Sequence, residues 1–337
     1  MHEKGCFVET TSFGYTREMD IRTADTALGS ARHRLLTRRH ALTASLAACA
    51  FPAAFAHAKV MPTLRLGAVE ITLLSDGHLV VPTPMLATNI EPGRLHDVTG
   101  STAPRVEPPC NVTLVRTPRD LVLIDVGAGA HFMPTAGKLL ANLEGLGVKR
   151  EDVTKVVFTH AHPDHLWGAL DDFDDSPMFP NAEHIIAAAE LDFWTRDDVE
   201  TRLPADRSFF ARPTASILSK LKDRLRTIAP GQDIVPHLKA LNTAGHTAGH
   251  IAVEITDGSQ SAIVVGDALS HPVISFAHPD WTPAADHHDR DQAVATRKAL
   301  LARLAADRSS VIGYHLPFPG IGTVQREGTA YRFEDAT

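Results

Sequence analysis

Between Thr159 and His165 the chain reads T-H-A-H-P-D-H, directly after Lys155-Val156-Val157-Phe158, a run with the character of a buried strand. Imidazoles and carboxylates are costly to bury unless they are hydrogen-bonded, paired or bound to a metal. A chain that carries such a string at the end of a buried strand must fold so that compensating groups meet it there. Neutral imidazole and carboxylate are ligands that Zn²⁺ and similar divalent ions accept. His160 and His162, on alternate positions, can face one ion while Asp164 and His165 face another, as a two-metal site requires.

The surrounding pattern is α/β. The stretch L-R-L-G-A-V-E-I-T-L-L-S-D-G at 64–77 alternates and ends in a turn, and N-V-T-L-V-R-T-P-R-D-L-V-L-I-D-V-G at 111–127 reads as a hairpin through Pro118-Arg119-Asp120. Residues 133–147 have helical spacing and a glycine stop, and the middle, 181–228, reads as mostly helical. A second strand set follows at Leu238–Asn242, Ile251–Thr256 and Ser261–Val265. An amphipathic helix at 293–306 then precedes a strand at 311–313. Strands and helices thus recur in two similar halves, with no sequence repeat.

Composition narrows the partners. Lys+Arg 33 against Asp+Glu 40 gives a net charge of −7; seven basic and five acidic side chains fall in residues 1–58, leaving 26 and 35 for the rest. An acidic body with no basic run speaks against nucleic acid and anionic membrane, so a small-molecule substrate is expected. The three cysteines, Cys6, Cys49 and Cys110, make no disulfide framework.

Residues 36–58 place a basic pair, Arg38-Arg39, before an Ala/Leu-rich stretch and a small-x-small end at Ala56-His57-Ala58, the layout of a secretory signal. With Thr37 the pair resembles a twin-arginine export signal. The expected organisation is therefore a leader over 1–58, removed on export to the periplasm, and one hydrolase domain over 59–337. Leu46-Ala47-Ala48-Cys49 also resembles a lipoprotein processing site, with Cys49 as the lipid anchor of a minority alternative; the apolar stretch is too short and too Pro-interrupted to span a bilayer.

The H-x-H-x-D-H string, followed by Gly245-His246, Gly266-Asp267 and Tyr314-His315, resembles the signature of the metallo-β-lactamase superfamily. That resemblance implies an αββα sandwich of two mixed β-sheets flanked by helices, and two divalent ions, most readily zinc. It implies that His160, His162 and His246 bind one metal, that Asp164, His165 and His315 bind the other, and that Asp267 bridges both, with Asp164 and Asp267 counted as catalytic too. Asp125 and His250 are expected to support the ligands by hydrogen bonds. The remaining histidines, His184, His271, His278 and His287 among them, have no spacing that argues for ligation and read as mostly surface or loop residues.

Further stretches, G-A-V-E-I-T-L-L-S-D-G, F-P-N-A-E, E-L-D-F-W and residues 315–333, are similar to methyl parathion hydrolase and its lactonase and esterase relatives. On that likeness Phe132, Trp194 and Phe209 or Phe210 form an apolar slot beside the metals, suited to an aromatic leaving group. The likeness also implies a homodimer. Residues 84–109 and the loop after Asp267 depart from the pattern, although both should border the pocket. Tyr314 is expected to point away from His315, because strand neighbours alternate.

The implied chemistry is hydrolysis by a hydroxide shared between the two ions, acting on aryl organophosphotriesters, lactones or activated esters. Within the fold the alternatives are an acyl-homoserine lactonase or a β-lactamase. From another class comes an iron-dependent oxidoreductase, against which His162 speaks, since flavodiiron relatives carry a carboxylate there. No serine or cysteine nucleophile is needed, and Cys110 lies before the ligand-bearing strands.

Overall fold

The computed structural model describes residues 61–336. The leader assigned to 1–58, with Arg38-Arg39, Cys6 and Cys49, lies outside them. One mixed sheet runs in the order Thr63–Leu66, Val69–His78, Pro109–Arg116, Leu121–Ile124, Lys155–Val157, Glu183–Ala187 and Leu225–Ile228. Its first four strands pair antiparallel and the last three join in parallel. The other sheet runs Asp233–Val235, Leu238–Asn242, Ile251–Asp257, Gln260–Val264, Ser310–Ile312, Ile321–Glu327 and Ala330–Asp335. All its pairings are antiparallel except Gln260–Val264 with Ser310–Ile312.

Two-residue periodicity decides which side chains hold the layers together. Val69, Ile71 and Leu73 pack with Ile251, Val253 and Ile255 of the opposite sheet, so one face of each sheet meets the other. Their strand neighbours point outward. Leu121, Leu123 and Val156 pack against Leu139, Leu143 and Leu218 from helices over the first sheet. Ala252, Ile263 and Val311 pack against Leu300, Leu301 and Leu304 of the helix Arg290–Asp307 over the second. The result is the αββα sandwich of the metallo-β-lactamase fold. Among the described residues no helix is long and apolar enough to cross a membrane.

Two expectations about elements need correcting. Helix forms only over Leu139–Gly145 rather than from 133, because the buried Asp76 carboxylate accepts hydrogen bonds from the backbone N–H groups of Ala128, Gly137 and Leu139 and holds that segment in turns. The mostly helical middle also contains the strands Glu183–Ala187 and Leu225–Ile228. Each is short enough for its apolar run to fit either period.

The site lies at one end of the sandwich. The strands Lys155–Val157, Leu238–Asn242, Gln260–Val264 and Ser310–Ile312 each run out into a loop that carries ligand-type side chains. Pairing directions in the second sheet put the C-terminal ends of its three strands on the same side. Asn111 helps to lock the last of these loops, donating through Nδ2 to the carbonyls of Gly313 and Leu316.

Candidate metal centre

His160, His162, Asp164, His165, His246, Asp267 and His315 all converge, and all are buried. His160 Nε2 and His246 Nε2 each stand 3.0 Å from His162 Nδ1. Asp267 Oδ2 faces this trio, 3.4 Å from His246 Nε2 and 4.0 Å from His160 Nε2. The other oxygen, Oδ1, faces a second group, 3.2 Å from His165 Nε2 and 3.5 Å from His315 Nε2. Asp164 Oδ2 completes it at 3.3 Å from both imidazoles.

Ligands at ~2.0–2.1 Å from a tetrahedral ion sit about 3.3 Å from one another, which matches most of the separations in both groups. Buried Asp164 Oδ2, His165 Nε2 and Asp267 Oδ1 lack any hydrogen-bond partner among the described residues. Buried polar atoms are rarely orphaned in this way, and three converging on one point are explained by a cation. The residues fit two divalent ions, with Asp267 offering one oxygen to each.

Electrostatics agree. Burial and the neighbouring imidazoles push His160 and His162 well below the ordinary imidazole range. In the second group burial works the same way on His315, but Asp267 and Asp164 outweigh it and hold this imidazole up at about 10. Burial likewise opposes, and the adjoining carboxylates overcome it, at His165, which is raised well above its usual value. The second group is thus an anionic pocket in which protons stand where a cation would bind.

Several of these side chains are held from behind. Asp125, at φ +62°, accepts from the Thr159 N–H and hydroxyl at 2.8 Å and meets His165 Nδ1 at 2.9 Å. A left-handed conformation at a non-glycine residue is uncommon and costs energy. Here three interlocking hydrogen bonds over-determine it. His250 Nε2 accepts the Asp267 N–H at 3.1 Å while its Nδ1 meets the Thr243 hydroxyl at 2.8 Å. Gly266, at φ +50°, must be glycine because a Cβ there would stand 2.7 Å from that His250 Nε2. His315 Nδ1 donates to the Pro109 carbonyl at 2.7 Å.

Other supports were not legible in the sequence. Asp286 Oδ1 meets His246 Nδ1 at 2.9 Å and its second oxygen takes the buried Arg297 guanidinium. The adjacent His287 meets His162 Nε2 at 2.9 Å. One loop therefore indexes two imidazoles of the first group. The only signal for it was the crowding of acid and imidazole in Asp286-His287-His288. Glu190, fully buried, accepts from the N–H groups of Ala161 and Gly249, the Thr247 hydroxyl and the Trp194 indole, stitching the 160–162 loop to the 246–249 loop.

Several expectations are corrected by these placements. His287 stands against a ligand-type imidazole, and His184 lies fully buried in a strand, stacked on Phe158, so neither is a surface histidine. Tyr314 does not point away: the chain has left the strand at Ile312, so alternation no longer applies. Its ring packs 4.0 Å from that of His165 and its hydroxyl donates to the Asp164 carbonyl at 2.6 Å.

A cavity of about 260 Å³ opens onto His162, Asp164, Asp267 and His315. Its walls are mainly apolar, with Leu79, Val81, Met85, Leu86 and Met133 beside Phe132, Phe209 and Phe210. Phe132 and Phe210 pack edge to face at 5.8 Å, and Phe209 is 59% exposed at the rim. Trp194 is a correction, since it is fully buried behind His162 and hydrogen-bonded to Glu190 rather than in the wall. Both departing stretches border the cavity, through Met85, Leu86 and Pro108 on one side and Ser270 and Pro283 on the other. Arg207, reaching the Ala284 carbonyl, brings the one Lys or Arg side chain among the lining residues.

Comparison with known proteins agrees with this geometry. The chain is similar to a probable metallo-hydrolase of Mycobacterium bovis, Mb2322c, at 27% identity over 194 residues, which is 48% of this chain and 57% of that one. It thus spans little more than half the length of the curated relatives it matches. Among solved structures it is similar to AidC, described as a dizinc quorum-quenching lactonase in complex with the product N-hexnoyl-L-homoserine, with a TM-score of 0.77 and 26% identity over 82% of this chain and 97% of that one. It is likewise similar to the hydrolase AbOPH, with a TM-score of 0.76 and 29% identity over the same shares. The family model of the metallo-beta-lactamase superfamily matches residues 105–309, more than half of the chain, and the chain belongs to that superfamily.

Proposed function

We propose that this metal-dependent hydrolase is a two-metal enzyme that opens lactones or cleaves activated esters and aryl organophosphotriesters of small, mostly apolar molecules. The observation that carries the reading is the division of Asp267, one oxygen toward each histidine group, at the floor of an apolar cavity. Two divalent ions, when bound, would supply a water acidified toward a pKa of ~7 and hence hydroxide at neutral pH. His160, His162 and His246 would hold one ion and Asp164, His165 and His315 the other, and zinc suits both sets. Phe132, Phe209 and Phe210 bind the apolar part of the substrate and exclude water, leaving its carbonyl or phosphoryl group at the ligand side chains. Export to the periplasm, a homodimeric state and the likeness to methyl parathion hydrolase belong to the same proposal.

A second reading, acyl-homoserine lactone hydrolysis, is favoured by the likeness to AidC and by a cavity apolar enough for an acyl chain. Metal quantification followed by turnover assays on paraoxon-like triesters, dihydrocoumarin, aryl acetates and N-acyl homoserine lactones, all on the same sample, separates the two. Turnover confined to acyl-homoserine lactones selects the second. A fully metallated protein inert toward all four classes overturns both.

A further inference from the structure

We propose that Arg207 is a carboxylate-recognition residue in the cavity wall, so that the esters or lactones this site takes carry a carboxylate on the apolar group that fills the cavity. This rests on the hydrolytic reading above and narrows its substrate class. Arg207 is only 8% exposed and lines the cavity that opens onto His162, Asp164, Asp267 and His315. A buried guanidinium is ordinarily paired with a carboxylate. Among the described residues none pairs with this one: the neighbouring Asp206 is exposed to solvent, and buried Asp286 gives its two oxygens to His246 and Arg297. Burial accordingly pulls the Arg207 guanidinium below the ordinary arginine range, a pull that Asp206 and Asp286 only partly offset.

Local structure sets the side chain there. The Arg207 N–H donates to the Pro204 carbonyl at 2.8 Å and its own carbonyl accepts from the Phe210 N–H at 2.9 Å, so the arginine stands at the head of the one-turn helix Ser208–Phe210. The same turn therefore presents Arg207, Phe209 and Phe210 to the cavity. An apolar body packed on the phenylalanines brings its polar end beside the guanidinium. Of that group's several N–H donors one is used, Nη1 donating to the Ala284 carbonyl. Tying down the 284 loop asks for a single donor, which glutamine or lysine also carries. The remaining donors belong to a fixed planar fork, matched to the two oxygens of a carboxylate. In a mainly apolar wall such a pair is little screened by water, so a bound carboxylate supplies the counter-charge that the protein withholds.

Paired substrates test this on the metal-loaded full chain: para-acetoxyphenylpropanoate and its primary amide, which share one scissile acetate and one aryl group and differ in charge at the far end. The expected kcat/KM favours the acid at least about tenfold, carried mainly by KM, as a charge-assisted hydrogen bond implies. In Arg207→Gln that preference falls to about parity, and Arg207→Lys, which keeps the charge but not the fork, retains part of it. Because the preference is a ratio within one protein sample, loss of folding or of metal in a variant cancels. Equal rates for acid and amide in the parent protein, or a preference that survives Arg207→Gln, overturns the assignment. Calorimetric binding of unreactive phenylpropanoate, set against its amide, keeps this proposal and the hydrolytic reading apart. Should both acetates stay inert on a fully metallated protein, the activated-ester part of that reading falls, and Arg207 then stands only if the parent binds the carboxylate at least about tenfold more tightly than Arg207→Gln.

Discussion

His287 Nε2 stands 2.9 Å from His162 Nε2, while Nδ1 of the same His162 ring is the nitrogen turned toward His160 and His246. An imidazole that binds a cation through Nδ1 keeps its proton on Nε2, so His162 donates and His287 accepts. Burial and the nearby His246 and Arg207 charges hold His287 down at about 3, which keeps it neutral and able to accept. His287→Ala frees the His162 ring to rotate. We expect first-site metal affinity to fall about 10–100-fold, read by chelator competition, with activity restored by excess metal. Unchanged affinity would show that this contact orients nothing.

Asp286 faces a different demand, because it compensates a buried cation as well as orienting a ligand. Arg297 is 1% exposed and also donates to the carbonyls of Ala268, Pro279 and Trp281. Asp286→Asn leaves an acceptor for His246 but strands the guanidinium charge. Breaking a buried pair in this way costs about 3–5 kcal/mol. Denaturant unfolding in the presence of chelator, which removes any metal contribution, should show a loss of that order.

The aromatic residues divide by where they sit. Phe132→Ala and Phe210→Ala remove cavity wall, so KM for substrates with aryl or acyl groups should rise with a smaller change in kcat. Trp194→Ala should act on stability instead, by about 3–5 kcal/mol, since the indole is fully buried and caps Glu190. A KM effect from Trp194 as large as that from Phe132 would contradict the division.

His184 provides a pH test remote from the centre. Burial, aided by Arg224, holds its imidazole at about 4, below the ordinary ~6.5 of the unfolded chain. Between those values the unfolded chain binds a proton that the folded chain refuses, so stability contributed by neutral His184 is full above ~6.5 and is lost as pH falls toward 4. Among the described residues the ring nitrogens find no more than a weak contact with the Ala182 backbone, and the ring stacks on Phe158. His184→Phe should therefore raise stability by about 1–2 kcal/mol near neutrality and flatten the acid limb relative to the parent. Parallel pH profiles for the two proteins would refute this account.

Much of the fold was written in local pattern, because alternation along 64–77 and 111–127 and helical spacing along 293–306 each report on one element and its buried face. The ligand-type residues were legible for a similar reason: imidazoles and a carboxylate crowded at a strand end can be afforded only where something compensates them. The strands Glu183–Ala187 and Leu225–Ile228 were not legible, since a run of four or five residues is too short to declare its period.

What only the tertiary structure decided is which distant groups stand behind each ligand. Glu190, Asp286 and His287 are ordinary residues along the chain, and each takes its role from a partner far away in sequence. The same holds for the wall of the cavity, where Trp194 and Phe210 both pack against the His162 ring but only Phe210 lines the cavity. Local sequence sets what a side chain can do. Loop closure across two sheets sets what it meets, and that depends on packing between segments with no mark in either one alone.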